Sequence, residues 1–261
     1  MAQYSKQLLC ALVLVFFPCT HLYAEKPPVV AAAADLKYAL EEIAGIFEKN
    51  TGKKISLSFG SAGNFYRQIS QGAPFQFFMS ADEQFIINLA KDGIAEDEGA
   101  LYAIGRIVLF APHGSPLNVD PELKDLRAAL EDGRVEKLAI PNPEHAPYGK
   151  RAKEALITAG LWERVEPKLV LGDNMIQATQ FATQRLAQGG ILAYSFALAP
   201  EITKLGTFAL IPEDWHQPLR QRMALIKGAD QTAREFYTFV QTPQAREIFR
   251  RYGFVLPGEA G

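Results

Sequence analysis

The chain has 261 residues, with 27 Lys and Arg against 29 Asp and Glu, for a net charge of −2. Apolar residues make up 48% and charged residues 21%, which excludes a disordered chain, a collagen-like repeat and a basic protein that coats nucleic acid. The length fits one large domain or two of roughly 100–150 residues.

Residues 1–7 carry one positive charge, Lys6, and residues 8–18 (LLCALVLVFFP) are almost wholly apolar. A short basic start, an apolar run of about 10 residues and a small residue before a polar stretch describe a secretory signal peptide. The expected cut follows Ala24, before Glu25 and Lys26. The run is shorter than the roughly 20 residues of a membrane span. The residues before Cys19 lack the small side chains that a lipoprotein signal needs. Removing 24 residues from 261 leaves 237, and Cys10 and Cys19 leave with the signal. The mature chain then has no thiol, disulfide or Cys-based metal site. His113, His145 and His216 are widely spaced and form no zinc pattern. The expectation is an exported, soluble protein.

Residues 28–34 (PVVAAAA) read as a buried strand, and residues 36–49 as a helix with apolar positions at helical spacing. Asn50-Thr51-Gly52 stops that helix. A strand over 54–59, a short helix over 64–71, a strand over 75–79 and a helix over 83–91 follow. This alternation predicts a parallel sheet with helices on its faces. Residues 102–111 (YAIGRIVLFA) read as one long strand-like run. A second series has strands at 137–140, 168–171 and 191–194, with helices at 149–159 and 175–186. A further run over 222–226 precedes two helices, 230–241 and 243–252. Two α/β blocks joined by two extended runs predict two lobes with a double crossover. The expected division is residues 25–108 with 225–261 in lobe 1 and 109–224 in lobe 2. The C-terminal helices are expected to return to lobe 1.

In parallel α/β sheets, ligands bind beyond the carboxyl ends of strands. The joints to inspect are 31–36, 59–64 (FGSAGN), 141–149 (PNPEHAPYG), 171–177 (LGDNMIQ) and 193–196 (AYSF). Several are rich in small residues, which let a ligand approach free N–H groups at a helix start. The helix dipole favours an anion there. The joints carry few cations, which points to neutral donors. Catalytic patterns are absent: there is no G-x-S-x-G, S-x-x-K, P-loop or G-x-G-x-x-G. Ser61, His145 and Asp35 form a triad by residue type only.

At these joints the sequence resembles the periplasmic molybdate-binding proteins of ABC importers, over residues 28–256. The strings that carry the likeness are AAAADLKYALEEIAGIFE, FGSAGNFYRQISQGAPFQFFMSAD, PNPEHAPYGKRAKEAL and QAREIFRRYGF. The resemblance implies an α/β, two-lobed periplasmic-binding-protein fold. Each lobe is then a mixed, mostly parallel sheet flanked by helices, and a two-strand hinge joins them. It implies a periplasmic, monomeric, non-enzymatic receptor with no cofactor and no nucleic-acid partner. Its ligand is molybdate, with tungstate as a second candidate, and its partner is an ABC permease in the inner membrane.

Carried over by position, the ligand-binding residues are Asp35, Ser61, Ala62, Tyr148, Asn174, Met175, Ala193 and Tyr194. They meet the metal only through the oxyanion, so no direct cation ligand is expected. Asp35 and Ala62 stand where the family usually has serines. An ionised Asp35 facing the ligand is repulsive by roughly 4 kcal/mol per unit charge at 4 Å and an effective dielectric of 20. Three readings compete. Asp35 caps the following helix with its side chain turned away and its N–H free; it accepts a proton from a protonated oxyanion; or the ligand is a different solute, such as a small organic anion. Plainer roles also stand. Tyr148 is a turn aromatic, Met175 packs at a helix start, Asn64 is an N-cap, and His145 is a hydrogen-bonded loop residue. Arg67 and Arg106 are candidates to neutralise Asp35.

Overall fold

The computed structural model describes residues 26–259. The signal peptide expected over residues 1–24, with both Cys, lies outside the described residues.

The first sheet draws on β1 (Val29–Ala33), β2 (Ser56–Gly60), β3 (Phe77–Ser80) and β4 (Ala100–Gly105). The chain then builds β5 (Ile107–Pro112), β6 (Leu138–Pro141), β7 (Leu169–Gly172), β8 (Gly189–Ala193) and β9 (Gly206–Leu210), and returns with β10 (Leu219–Leu225). The strand orders are β2-β1-β3-β10-β4 and β7-β6-β8-β5-β9. Each sheet has two parallel and two antiparallel pairings, so both are mixed, with a larger antiparallel share than the sequence pattern suggested. The two sheets repeat one plan. β10 does in the first what β5 does in the second: it runs antiparallel beside the third parallel strand.

The helices between the strands are α1 (Lys37–Thr51), α2 (Ala62–Ser70), α3 (Glu83–Lys91), α4 (Lys124–Glu131) and α5 (Pro147–Thr158). A single-turn α6 (Trp162–Val165) precedes α7 (Met175–Thr183), and α8 (Tyr194–Ala197) and α9 (Pro200–Thr203) are short. The chain closes with α10 (Gln231–Val240) and α11 (Pro243–Arg251). These last two pack on the elements of the first sheet. Phe236 of α10 meets Phe47 of α1 edge-on at 5.2 Å, and Phe249 of α11 lies 5.6 Å from Tyr102 of β4.

The chain crosses between sheets twice. β4 passes to β5 through Arg106 alone, and β9 passes to β10 through residues 211–218. The run 102–111 is therefore two strands in different sheets. The lobe boundaries expected at 108/109 and 224/225 fall inside β5 and β10, and the structure moves them to Arg106 and to 211–218. The physical reason is burial: β5 is buried along its whole length and the end of β4 partly so. Hydropathy therefore runs on across the break, which only Gly105 marks. α4, β9 and the short α6, α8 and α9 had no counterpart in the sequence reading.

The core of each sheet follows from its middle strands. β1 (VVAAA) is covered on both faces, as central parallel strands are. Its alanines bring the backbone close to whatever lies beyond its carboxyl end. From that end of each sheet, helices start toward the other. α2 follows β2 on one side; α5 and α7 follow β6 and β7 on the other.

Candidate functional site

A small cavity lies where these helix starts meet. Its walls are Ala33, Ala34, Asp35, Gly60, Ser61, Ala62 and Ala81 from the first lobe, and Pro141, Ala146, Pro147, Tyr148, Asn174 and Met175 from the second. Its volume is about 20 Å³ for the centres of water-sized spheres, somewhat more than the roughly 10–15 Å³ that one water requires. A cavity of this size suits a molecule of a few atoms. No Lys, Arg or His is among the described lining residues.

Three helices of eight residues or more begin here, and their first N–H groups have no carbonyl within the helix. Ala62 opens α2 and Met175 opens α7; Tyr148 is the second residue of α5, behind Pro147. Among the described hydrogen bonds, none takes the N–H of Ala62, Tyr148 or Met175. Ser61 and Ala146, the residues before α2 and α5, give no side-chain cap. Asn174 does cap α7, accepting from Ile176 N at 2.9 Å and Gln177 N at 3.2 Å, which leaves the Met175 amide over.

The lobes touch at the rim. The Ser61 hydroxyl donates to the His145 carbonyl, which also accepts Gly63 N–H at 3.0 Å. His145 Nδ1 lies 3.0 Å from Ser61 Oγ, and Asn64 Nδ2 donates to Asp173 Oδ1 at 3.3 Å. A methyl group on Gly63 would sit 2.5 Å from the His145 carbonyl oxygen, so this approach requires glycine. Asn64 is therefore a bridge between lobes inside α2 and not an N-cap.

Asp35 lies in a 3-10 turn (Ala34–Leu36) before α1, is 2% exposed, and caps nothing with its side chain. Gln221 Nε2 donates to Asp35 Oδ2 at 2.7 Å and to the Tyr148 hydroxyl at 3.0 Å. The Tyr102 hydroxyl donates to Gln221 Oε1 at 2.7 Å. Ser195 Oγ reaches across from α8 to the Asp35 carbonyl at 2.8 Å. Burial pushes the Asp35 carboxyl up to about 6, against opposing hydrogen bonds from Gln221 and Tyr148. Burial and the nearby Asp35 hold both tyrosine hydroxyls well above their ordinary range, so they stay neutral. A methyl on Gly105 would lie 2.2 Å from the Tyr148 hydroxyl, so the first crossing strand ends on glycine to admit this cluster.

Six of the eight residues singled out from the sequence line the cavity together: Asp35, Ser61, Ala62, Tyr148, Asn174 and Met175. Ala193 and Tyr194 do not. The Ala193 N–H donates to Met175 Sδ at 3.2 Å, the Tyr194 N–H goes to the Arg106 carbonyl at 2.9 Å, and the Tyr194 ring packs on Phe208 at 5.8 Å. The Asp35 side chain is not turned away as a cap. Arg67 pairs with Asn64, and Arg106 with Glu213 at 3.4 Å, so neither neutralises it. Nor does Asp35 orient His145. Gln221, Tyr102 and Ser195 escaped the sequence reading. A signal for Gln221 existed: in LRQRMAL the buried positions alternate, and Gln221 takes an inward one.

The chain matches a family described as bacterial extracellular solute-binding protein over residues 28–255. It is 36% identical over 230 residues to the molybdate-binding protein ModA of Rhodobacter capsulatus, covering 87% of each chain. It is 35% identical over 233 residues to that of Escherichia coli K12, covering 87% of this chain and 88% of the relative. Among solved structures, the periplasmic molybdate-binding protein of Azotobacter vinelandii superposes with a TM-score of 0.80 at 29% identity, covering 88% of this chain and 99% of that one.

Proposed function

The chain belongs to the bacterial extracellular solute-binding proteins, and from that premise we propose that it captures one molybdate dianion between its lobes and hands it to an ABC permease. The observation that carries the reading is the meeting of three helix starts, with unspent N–H groups, at a cavity of a few atoms that no cation lines. Amide donors at helix starts suit an oxyanion. The names of the relatives supply the metal: each is a molybdate-binding protein. The donors are the backbone N–H groups of Ala62, Tyr148 and Met175. Ser61 and Asn174 shape the walls, and Asp35 lies at the floor. Ala193 serves indirectly by fixing Met175. The Ser61 hydroxyl closes the rim instead of meeting the ligand. Cavity size counts against an organic anion.

The protein acts by binding and release, without catalysis, and works outside the cytoplasm after signal cleavage. Among the described residues no helix is long and apolar enough to cross a membrane. Tungstate, a near-isostere, is the second ligand. Calorimetric titration of the ligand-free protein with molybdate, tungstate, sulfate and phosphate tests the assignment. Molybdate is expected to give saturable heat and a raised melting temperature. Silence from molybdate and tungstate alike, at every pH tried, removes the reading.

A further inference from the structure

Asp35 is the single carboxylate among the described lining residues. The hydrogens around it can be assigned. The Tyr102 hydroxyl occupies Gln221 Oε1, so the Gln221 NH₂ group faces inward. One of its hydrogens goes to Asp35 Oδ2 and the other to Tyr148 Oη. The groups that face Asp35 are Tyr102 from β4, Tyr148 from α5, Gln221 from β10 and Ser195 from α8, the last through the Asp35 carbonyl. The titratable ones are the two tyrosines, both neutral. Among the described residues, no Lys, Arg or His lines the cavity or bonds to the carboxyl.

Resting on the oxyanion reading above, we propose that Asp35 enters the ligand complex as the neutral acid, so that capture of each oxyanion dianion takes up one proton from solvent. Two buried negative groups cannot share a cavity without a cation. A neutral carboxyl removes the repulsion and can donate to a ligand oxygen, a charge-assisted bond. The amide donors then have one negative group to satisfy instead of two. The proton is within reach because the free carboxyl already sits at about 6. The balance is simple: carboxylate, proton and dianion combine to acid and bound dianion, with no bond made to the metal. This is the reverse of a receptor whose ionised Asp accepts a proton carried by its ligand; that arrangement takes up none from solvent.

The linkage has a definite sign. Binding raises the proton affinity of Asp35, so molybdate binds best at low pH. Affinity stays level below about pH 6 and falls about tenfold per pH unit above it, until the bound-state value is passed. Titration of the ligand-free protein with molybdate from pH 5.5 to 9, in paired buffers of different ionisation enthalpy, counts the protons. Uptake near one at pH 8 and the tenfold slope are expected in the wild type. Asp35→Asn is expected to lose both and to bind more tightly than wild type at pH 8.5. His145→Gln, at the rim, is expected to keep the slope. Molybdate heat with no proton uptake in the wild type overturns the inference while leaving the oxyanion reading intact. A slope that persists in Asp35→Asn and vanishes in His145→Gln also overturns it. No molybdate heat at any pH removes the oxyanion reading and this inference with it.

Discussion

The helix starts of this chain are of two kinds. α3, α10 and α11 begin on Asp82, Asp230 and Thr242, whose side chains accept from Gln84, Ala233 and Ala245 N–H. The α10 and α11 starts lie outside the cavity lining, α3 starts beside the lining residue Ala81, and the chain closes all three with its own atoms. α2 and α5 begin on Ser61 and Ala146, and no side chain caps either. α7 is intermediate, since Asn174 covers two amides and leaves the first. The uncapped starts of α2 and α5 and the spare first amide of α7 are the donors that the proposed function assigns to the ligand. Asp35 belongs to neither kind. It is a capping residue type at a joint, yet its carboxyl turns to Gln221. Capped starts should therefore govern stability, open starts affinity, and Asp35 both.

The largest expected effect tests Asp35 in the ligand-free protein. Its carboxyl moves from an ordinary 3.8 to about 6 on folding. Between those values the folded chain holds a proton that the unfolded chain does not. That stabilisation is complete below 3.8 and is lost as pH rises through 6. Asp35→Asn carries no charge and escapes the loss, while its side-chain oxygen can still accept from Gln221. It is expected to raise stability above pH 7 by about 3 kcal/mol, at 1.36 kcal/mol per pH unit, with no gain below pH 4. Urea denaturation at pH 4 and pH 7.5 measures the difference. An equal effect at both pH values would show that the carboxyl titrates normally.

The next effect sharpens the contrast from the open side. Gly63→Ala places a methyl group 2.5 Å from the His145 carbonyl oxygen, a clash that exists only when the lobes meet. In the α2 helix itself Ala is favoured over Gly by roughly 0.5–1 kcal/mol. The substitution should therefore weaken molybdate binding by about tenfold or more, roughly 1.4 kcal/mol, while the ligand-free melting temperature holds or rises. Calorimetry and thermal melts on the same sample read both. Parallel losses in affinity and stability would mean that Gly63 is needed for the lobe rather than for its closure.

What the sequence made legible follows the same division. Local patterns found the three parallel strands of each sheet, the helices after five of these six strands and the joints where they turn. Six of the proposed contacts lie at those joints and were named from the family resemblance. What was missed depends on partners far apart in the chain. Asp35 precedes a helix and so reads as a cap, but the residue that claims its carboxyl is Gln221, 186 positions away. The break at Arg106 was hidden because the buried run continues from one sheet into the other. β10 was started at Arg222, which left Leu219 and the inward Gln221 outside the strand. β9 is a short edge strand, half-buried over much of its length, and gives a weak alternation.

The smallest effects make a matched pair. Thr242 Oγ1 accepts from the Ala245 N–H at the start of α11, on the side of the first lobe away from the cavity. Thr242→Ala leaves that donor without a partner in the protein and should cost about 1 kcal/mol of stability, with molybdate affinity unchanged. Ser61 occupies the same position at the start of α2, and by residue type the two serve alike. Its hydroxyl, however, caps nothing and crosses to the His145 carbonyl. Ser61→Ala therefore removes a bond between the lobes, about 0.5–1.5 kcal/mol; if the lobes part without ligand, affinity falls several-fold while the melting temperature of the ligand-free protein stays within error. Had Ser61 been an ordinary cap, its alanine variant would behave as that of Thr242 does. Measuring both variants for melting temperature and for molybdate affinity thus asks whether the partner, rather than the residue type, decides what a helix start is for.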